Sequence, residues 1–179
     1  ALVRNKDPKN PRVYKLLGTA YVLFNHDEEA LLELNRAHEL DRDDPEILFN
    51  LGGVYLLKDM YESAADAFEK AIKIDPTDTT SYANLAAAYG MLKIYDKEIS
   101  ALKKVLMFEP ENKELRAALS NAYFNSDRFE EAIDAAICVV EIDEKDTQAY
   151  CNLGSCYAAQ NMIDEAIKTF NKASELAPD

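Results

Sequence analysis

Residues 51–64 read Leu51-Gly52-Gly53-Val54-Tyr55-Leu56-Leu57-Lys58-Asp59-Met60-Tyr61-Glu62-Ser63-Ala64. The frame of that stretch is a Leu, a small residue, a Tyr three further on and, nine after the Tyr, a residue that is small in every copy but one. The same frame recurs at a spacing of 34 residues with no insertion. Its other copies are Leu17-Gly18…Tyr21…Ala30, Leu85-Ala86…Tyr89…Glu98, Leu119-Ser120…Tyr123…Ala132 and Leu153-Gly154…Tyr157…Ala166. A fixed period of this size denotes stacked supersecondary units, each burying its apolar face against its neighbours. It also moves the functional question from chemistry toward a binding surface.

Numbering each unit from Pro11, Pro45, Thr79, Lys113 and Thr147, the last position is Asp44, Asp78, Asn112 and Asp146, with Asn10 preceding the first unit. All are N-cap residues whose side-chain oxygen satisfies an orphan backbone N–H. Pro11 and Pro45 then occupy the first helical position, where no N–H is needed. Apolar residues at positions 4, 7, 8 and 11 have helical spacing. Position 15 is Asn25, Asp59, Lys93, Asp127 and Asn161; Asn and Asp tolerate the left-handed conformation that lets a helix stop. The second helix opens with acids such as Asp27-Glu28-Glu29 and Glu130-Glu131, where the helix dipole favours negative charge. Small residues at positions 8 and 20 allow close helix approach, and Tyr at 11 with the residue at 24 fills the remainder.

This pattern resembles the tetratricopeptide repeat (TPR) family over essentially the whole chain. The resemblance is carried by Tyr14, Leu48, Tyr82, Arg116 and Tyr150 at position 4, where the family often has Trp. It is carried also by Leu34, Phe68, Leu102, Ala136 and Phe170 at position 24, and by Pro76, Pro110 and Pro178 at position 32. It implies an all-α fold, a right-handed α-solenoid (superhelix) of tandem helix-turn-helix units. The expected organisation is residues 1–10 as the tail of a preceding repeat and then repeats at 11–44, 45–78, 79–112, 113–146 and 147–179, one continuous solenoid domain. A short helical stub is expected before Pro8, as in a piece of a longer protein.

A formal net charge of −13 argues against nucleic acid and anionic membrane surfaces as partners. No run approaches the roughly 18 apolar residues of a membrane span. Cys138, Cys151 and Cys156 are odd in number and without framework spacing, and no Asn-x-Ser/Thr sequon occurs. Both facts point to free thiols in a reducing, cytoplasmic compartment. His26 and His38 lack convergent partners. There is no phosphate-cradling glycine loop, and the carboxylates fall at caps and solvent-facing positions. The chain is therefore expected to be non-enzymatic, with no cofactor, no metal and no catalytic residue.

In the family, first helices line a concave groove. Carried over residue by residue, the resemblance places Lys15, Phe49, Asn50, Gly53, Leu56, Leu57, Asn84, Ala87, Met91, Asn121, Phe124 and Asn152 there as partner-binding residues. Phe49, Leu56, Leu57, Met91 and Phe124 would be exposed apolar anchors. Asn50, Asn84 and Asn152 would hold an extended backbone, since an amide both donates and accepts. The carboxylate clamp of chaperone-binding members is not reproduced. Lys15 and Asn50 fit it, but Thr19 and Thr80 stand where cations or Asn would be needed.

The expected function is a non-catalytic protein–protein interaction scaffold whose groove binds a peptide or helix of a partner and supports complex assembly. Two alternatives stand beside it: the substrate-recruiting arm of a larger transferase or phosphatase, and a scaffold self-assembling as a homo-oligomer through terminal helices. Repeat 3 is the expected weak unit, because Ala86 and Glu98 both enlarge positions where small residues belong.

Overall fold

The computed structural model describes residues 9–177; of the tail expected at residues 1–10, residues 1–8 with the expected helical stub lie outside them, as does Pro178. Ten helices follow one another: α1 (Pro11–Leu23), α2 (Asp27–Leu40), α3 (Pro45–Leu57), α4 (Tyr61–Ile74), α5 (Thr79–Met91), α6 (Tyr95–Leu106), α7 (Lys113–Asn125), α8 (Phe129–Ile142), α9 (Thr147–Ala159) and α10 (Ile163–Leu176). Among the described residues there is no strand. The 34-residue register is kept from α1 to α10.

The odd-numbered helices start as the caps dictate. Asn10, Asp44, Asp78, Asn112 and Asp146 are extended, and each side chain accepts from a backbone N–H of the first turn. They stop in a left-handed residue: Asn25, Asp59, Lys93, Asp127 and Asn161 have φ of 57°, 56°, 58°, 59° and 60°. In four repeats the turn is a Schellman motif. Asn25 N–H donates to Val22 O (3.0 Å) and His26 N–H to Tyr21 O (3.0 Å), and Asp59/Met60, Asp127/Arg128 and Asn161/Met162 repeat the pair. The even-numbered helices have no side-chain cap. Their starts are set by that turn and by the first-turn acids.

The chain divides into two compact units, one ending at Leu92 and one beginning at Lys93. In the first, α1 packs on α2, α2 on α3, α3 on α4 and α4 on α5. Its centre is Tyr14, Leu34, Ile47, Leu51 and Val54, continued by Phe68, Leu85 and Tyr89. In the second, α6 packs on α7, α7 on α8, α8 on α9 and α9 on α10. It buries Ile99, Leu102, Val105, Leu119, Tyr123, Val139 and Leu153. The division falls inside repeat 3, the repeat that departs from the small-residue rule.

Why small residues stand at position 8 is visible in what a methyl would meet. A Cβ on Gly52 would lie 2.7 Å from two ring carbons of Phe68; on Gly154 it would lie 2.7 Å from Phe170; on Gly18 it would lie 2.5 Å from Leu34. Repeat 4 solves the same contact the other way. Ser120 carries a side chain there, its hydroxyl donates to Ala132 O (2.9 Å), and position 24 shrinks to Ala136. Glu98 is half-buried and has neither an ion pair nor a hydrogen bond to its carboxylate among the described residues; burial alone pushes its carboxyl up.

Candidate functional site

In the unit ending at Leu92, α1, α3 and α5 touch in sequence and place their non-core faces side by side. Nine of the twelve candidate residues lie there: Lys15 on α1; Phe49, Asn50, Gly53, Leu56 and Leu57 on α3; Ala87, Met91 and Asn84 on α5. Asn121 and Phe124 on α7 and Asn152 on α9 belong to the other unit.

The stripe Phe49–Gly53–Leu57 on α3 follows from four-residue spacing on one helical face. Gly53 is its midpoint, and a Cβ there would meet nothing within 4 Å. A glycine inside a helix costs roughly 1 kcal/mol relative to Ala, and here no packing contact explains it. At the C-terminal ends of the first helices, Leu23, Leu57 and Met91 form a row of exposed apolar side chains, 77%, 61% and 59% accessible. Phe24, one residue beyond the row, is as open as Leu23. The family positions did not flag it, because it belongs to the turn.

Three expected anchors are less free than the sequence suggests. Phe49 and Leu56 are half-buried and pack on the core formed by Phe68, Leu85 and Tyr89; the rings of Phe49 and Phe68 meet edge-on at 5.9 Å. Phe124 is half-buried, with its ring 5.5 Å from that of Phe129. Helical periodicity gives the direction of a side chain but not its depth. A charge at Phe49 or Leu56 is therefore expected to perturb the fold, and one at Leu57 or Met91 to leave it intact.

The polar candidates also differ from one another. Lys15 Nζ is engaged by Asp44 (2.9 Å) and Glu46 (2.5 Å). Burial opposes its charge, but the hydrogen bonds it donates to Glu46 and Asp44 hold its pKa above the ordinary lysine value. It thus ties α1 to the start of α3 and is not a free cation for a partner carboxylate. Asn50 Nδ2 donates to Thr19 Oγ1 (3.2 Å), another α1–α3 tie. Asn152 accepts from Gln148 (2.9 Å). The side-chain amides of Asn84 and Asn121 have no partner among the described residues. Ala87 is exposed beside Asn84.

Around the start of α3, a pocket of about 460 Å³ is lined by Pro45, Glu46, Phe49, Asp75, Asp78 and Thr80. It joins the N-terminal end of the α3 stripe to the loop between α4 and α5. Among the described residues, no three His, Cys, Asp or Glu groups converge as a metal ion requires. No described helix is long and apolar enough to cross a membrane. Cys138 and Cys151 are half-buried thiols, and Cys156 is buried, its thiol pushed up by burial.

Tetratricopeptide repeat models match residues 45–78 and 147–179, and a second model of the same repeat matches residues 67–99. No curated protein matches the chain. Among solved structures, the chain is similar to YrrB, described as a TPR protein with an unusual peptide-binding site. The two are 24% identical, with 99% of this chain and 91% of that one covered at a TM-score of 0.89. It is similar also to MamA, 23% identical over 93% of this chain and 91% of that one, TM-score 0.86. MamA from Desulfovibrio magneticus RS-1, residue 41 to the end, is 23% identical, covering 93% and 94%, TM-score 0.83. At these identities the likeness concerns the fold. The repeat-model matches, the unbroken register of ten helices and these neighbours together make the chain a member of the tetratricopeptide repeat family.

Proposed function

We propose that the chain is a protein-interaction scaffold that holds a peptide or helix of a partner protein on the α1–α3–α5 face. The observation that carries this reading is Gly53. An open, mid-helix glycine costs stability and fills no packing role, and a close approach by another chain is the remaining physical reason to keep it. Around it, Leu57 and Met91 offer apolar anchors, and Asn84 offers an unpaired amide for a peptide backbone. YrrB, a TPR protein with a peptide-binding site, is the structural neighbour that lends this reading support.

The test uses peptides selected from a random dodecapeptide phage library on the intact chain, titrated against three variants. Gly53→Arg fills the open space at the stripe, and Leu57→Glu and Met91→Glu charge the exposed row. Each is expected to melt no lower than the wild type, Gly53→Arg somewhat higher for its gain in helix propensity, and to weaken peptide binding at least about tenfold, or about 1.4 kcal/mol. Peptides that bind all three variants with wild-type affinity place the interaction surface elsewhere and end this reading.

A further inference from the structure

The repeats are copies, so each one is a control for the others. At the start of α7, Lys113 Nζ reaches Asp143 and Asp146, both at 2.8 Å. Those hydrogen bonds hold the Lys113 amine above its ordinary pKa and both carboxyls below theirs. In the first repeat the cation comes from a different position, Lys15, and reaches Asp44 and Glu46. Positive charge is thus seated twice among the carboxylates beside a helix N-terminus, in spite of the unfavourable helix dipole.

Repeat 2 has the acids of this arrangement without the cation. Asp75 and Asp78 stand where repeat 4 has Asp143 and Asp146. Pro45 stands in place of Lys113, and Phe49 in place of Lys15. Among the described residues neither Asp75 nor Asp78 has an ion pair: Asp75 accepts only from the Thr77 N–H and hydroxyl, and Asp78 only from the Thr80 N–H and the Ser81 hydroxyl, all neutral donors. The pocket of about 460 Å³ opens at this point, with Phe49 as its apolar wall. In repeat 4 the same two acids are occupied by a lysine from within the chain.

We infer that the pocket of Pro45, Phe49, Asp75 and Asp78 seats a lysine or arginine side chain of the bound peptide. Its aliphatic stem lies on Phe49, and its charged head is held between Asp75 and Asp78. Long basic side chains bury their stems on apolar surface and keep the head polar, and this pocket offers both. A chain of net charge −13 also draws basic peptides from a distance. The absence of a third converging ligand among the described residues favours an organic cation over a metal ion. The inference rests on the peptide-binding reading of the α1–α3–α5 face, to which Phe49 and Thr80 contribute positions.

The phage-selected dodecapeptides decide it. They are expected to share a Lys or Arg. On Asp75→Asn/Asp78→Asn their affinity should fall about tenfold or more, the scale of a charge-assisted hydrogen bond. Asn at position 78 retains the helix cap, as Asn112 does for α7. Norleucine in place of the peptide's basic residue should cost the same on the wild type and nothing on the double variant. Pro45→Lys, which copies the Lys113 arrangement, should weaken the peptide by closing the seat from within. Peptides that lose affinity on Gly53→Arg but share no basic residue and ignore Asp75→Asn/Asp78→Asn overturn the inference and leave the groove standing. Peptides that bind Gly53→Arg, Leu57→Glu and Met91→Glu with wild-type affinity, or none selected at all, overturn both.

Discussion

Gly52 and Gly53 are neighbours in one helix, and alanine at the two positions should act in opposite directions. Either substitution gains about 1 kcal/mol of helix propensity. At Gly53 nothing lies within 4 Å of the new methyl, so that gain stands alone. At Gly52 the methyl would lie 2.7 Å from two ring carbons of Phe68 and 2.9 Å from a third. Phe68 is fully buried and has no solvent to swing into. Overpacking of that kind costs about 1–3 kcal/mol. Gly53→Ala should therefore stabilise by about 1 kcal/mol. Gly52→Ala should be neutral to destabilising by about 2 kcal/mol. The difference between the variants cancels propensity and isolates the clash. Gly154→Ala supplies a third point. It meets Phe170 at the same 2.7 Å, but that ring is 40% exposed and can yield, so its loss should be smaller than at Gly52. Urea unfolding followed by circular dichroism, at unchanged slope, measures all three. If Gly52→Ala stabilises as much as Gly53→Ala, the account of position 8 as a steric contact is wrong, and so is the contrast that sets Gly53 apart.

Among the described residues Lys93 is the one long side chain held in the left-handed region, at φ 58°; Lys93→Asn should raise stability by about 1 kcal/mol, and an unchanged urea midpoint would show the turn unstrained. Glu98 binds protons more tightly folded than unfolded, because burial raises its carboxyl above the ordinary glutamate value. Its charge therefore opposes folding above that value and ceases to do so once the pH falls below it. Melting temperatures of the wild type and Glu98→Gln should coincide at low pH and separate in favour of the variant as pH rises through the carboxylate range. A variant that is less stable at neutral pH would mean that Glu98 is paired.

The helix boundaries were legible because they depend on single residues. Asn10, Asp44, Asp78, Asn112 and Asp146 cap helices by local bonds, and position 15 turns left-handed in every repeat, at Lys93 as at Asn25. Even Lys93, the residue type least suited to it, obeys the register, so the stack overrides local preference there. The core was legible because period fixes face. Depth was not. Phe49 and Leu57 share a face eight residues apart, yet Phe49 leans onto Phe68 while Leu57 stands 61% exposed. What separates them is how closely each meets the next helix, which the period does not encode. Nor could the sequence assign Lys15, whose partners Asp44 and Glu46 lie 29 and 31 residues on, at the junction with the following repeat.

That junction is where the repeats differ most in chemistry while agreeing in geometry. The backbone brings positions 1, 5, 31 and 34 together because the solenoid register demands it, whatever residues fill them. Lysine at position 5 in repeat 1 and at position 1 in repeat 4 neutralises the acids there from within. Proline and phenylalanine in repeat 2 leave Asp75 and Asp78 to be neutralised from without. A packing consensus explains the positions that repeat. Recognition has to be sought in residues that keep the register and break the pattern, and in this chain those are Gly53, with no neighbour to accommodate, and Phe49, standing where repeat 1 has a lysine.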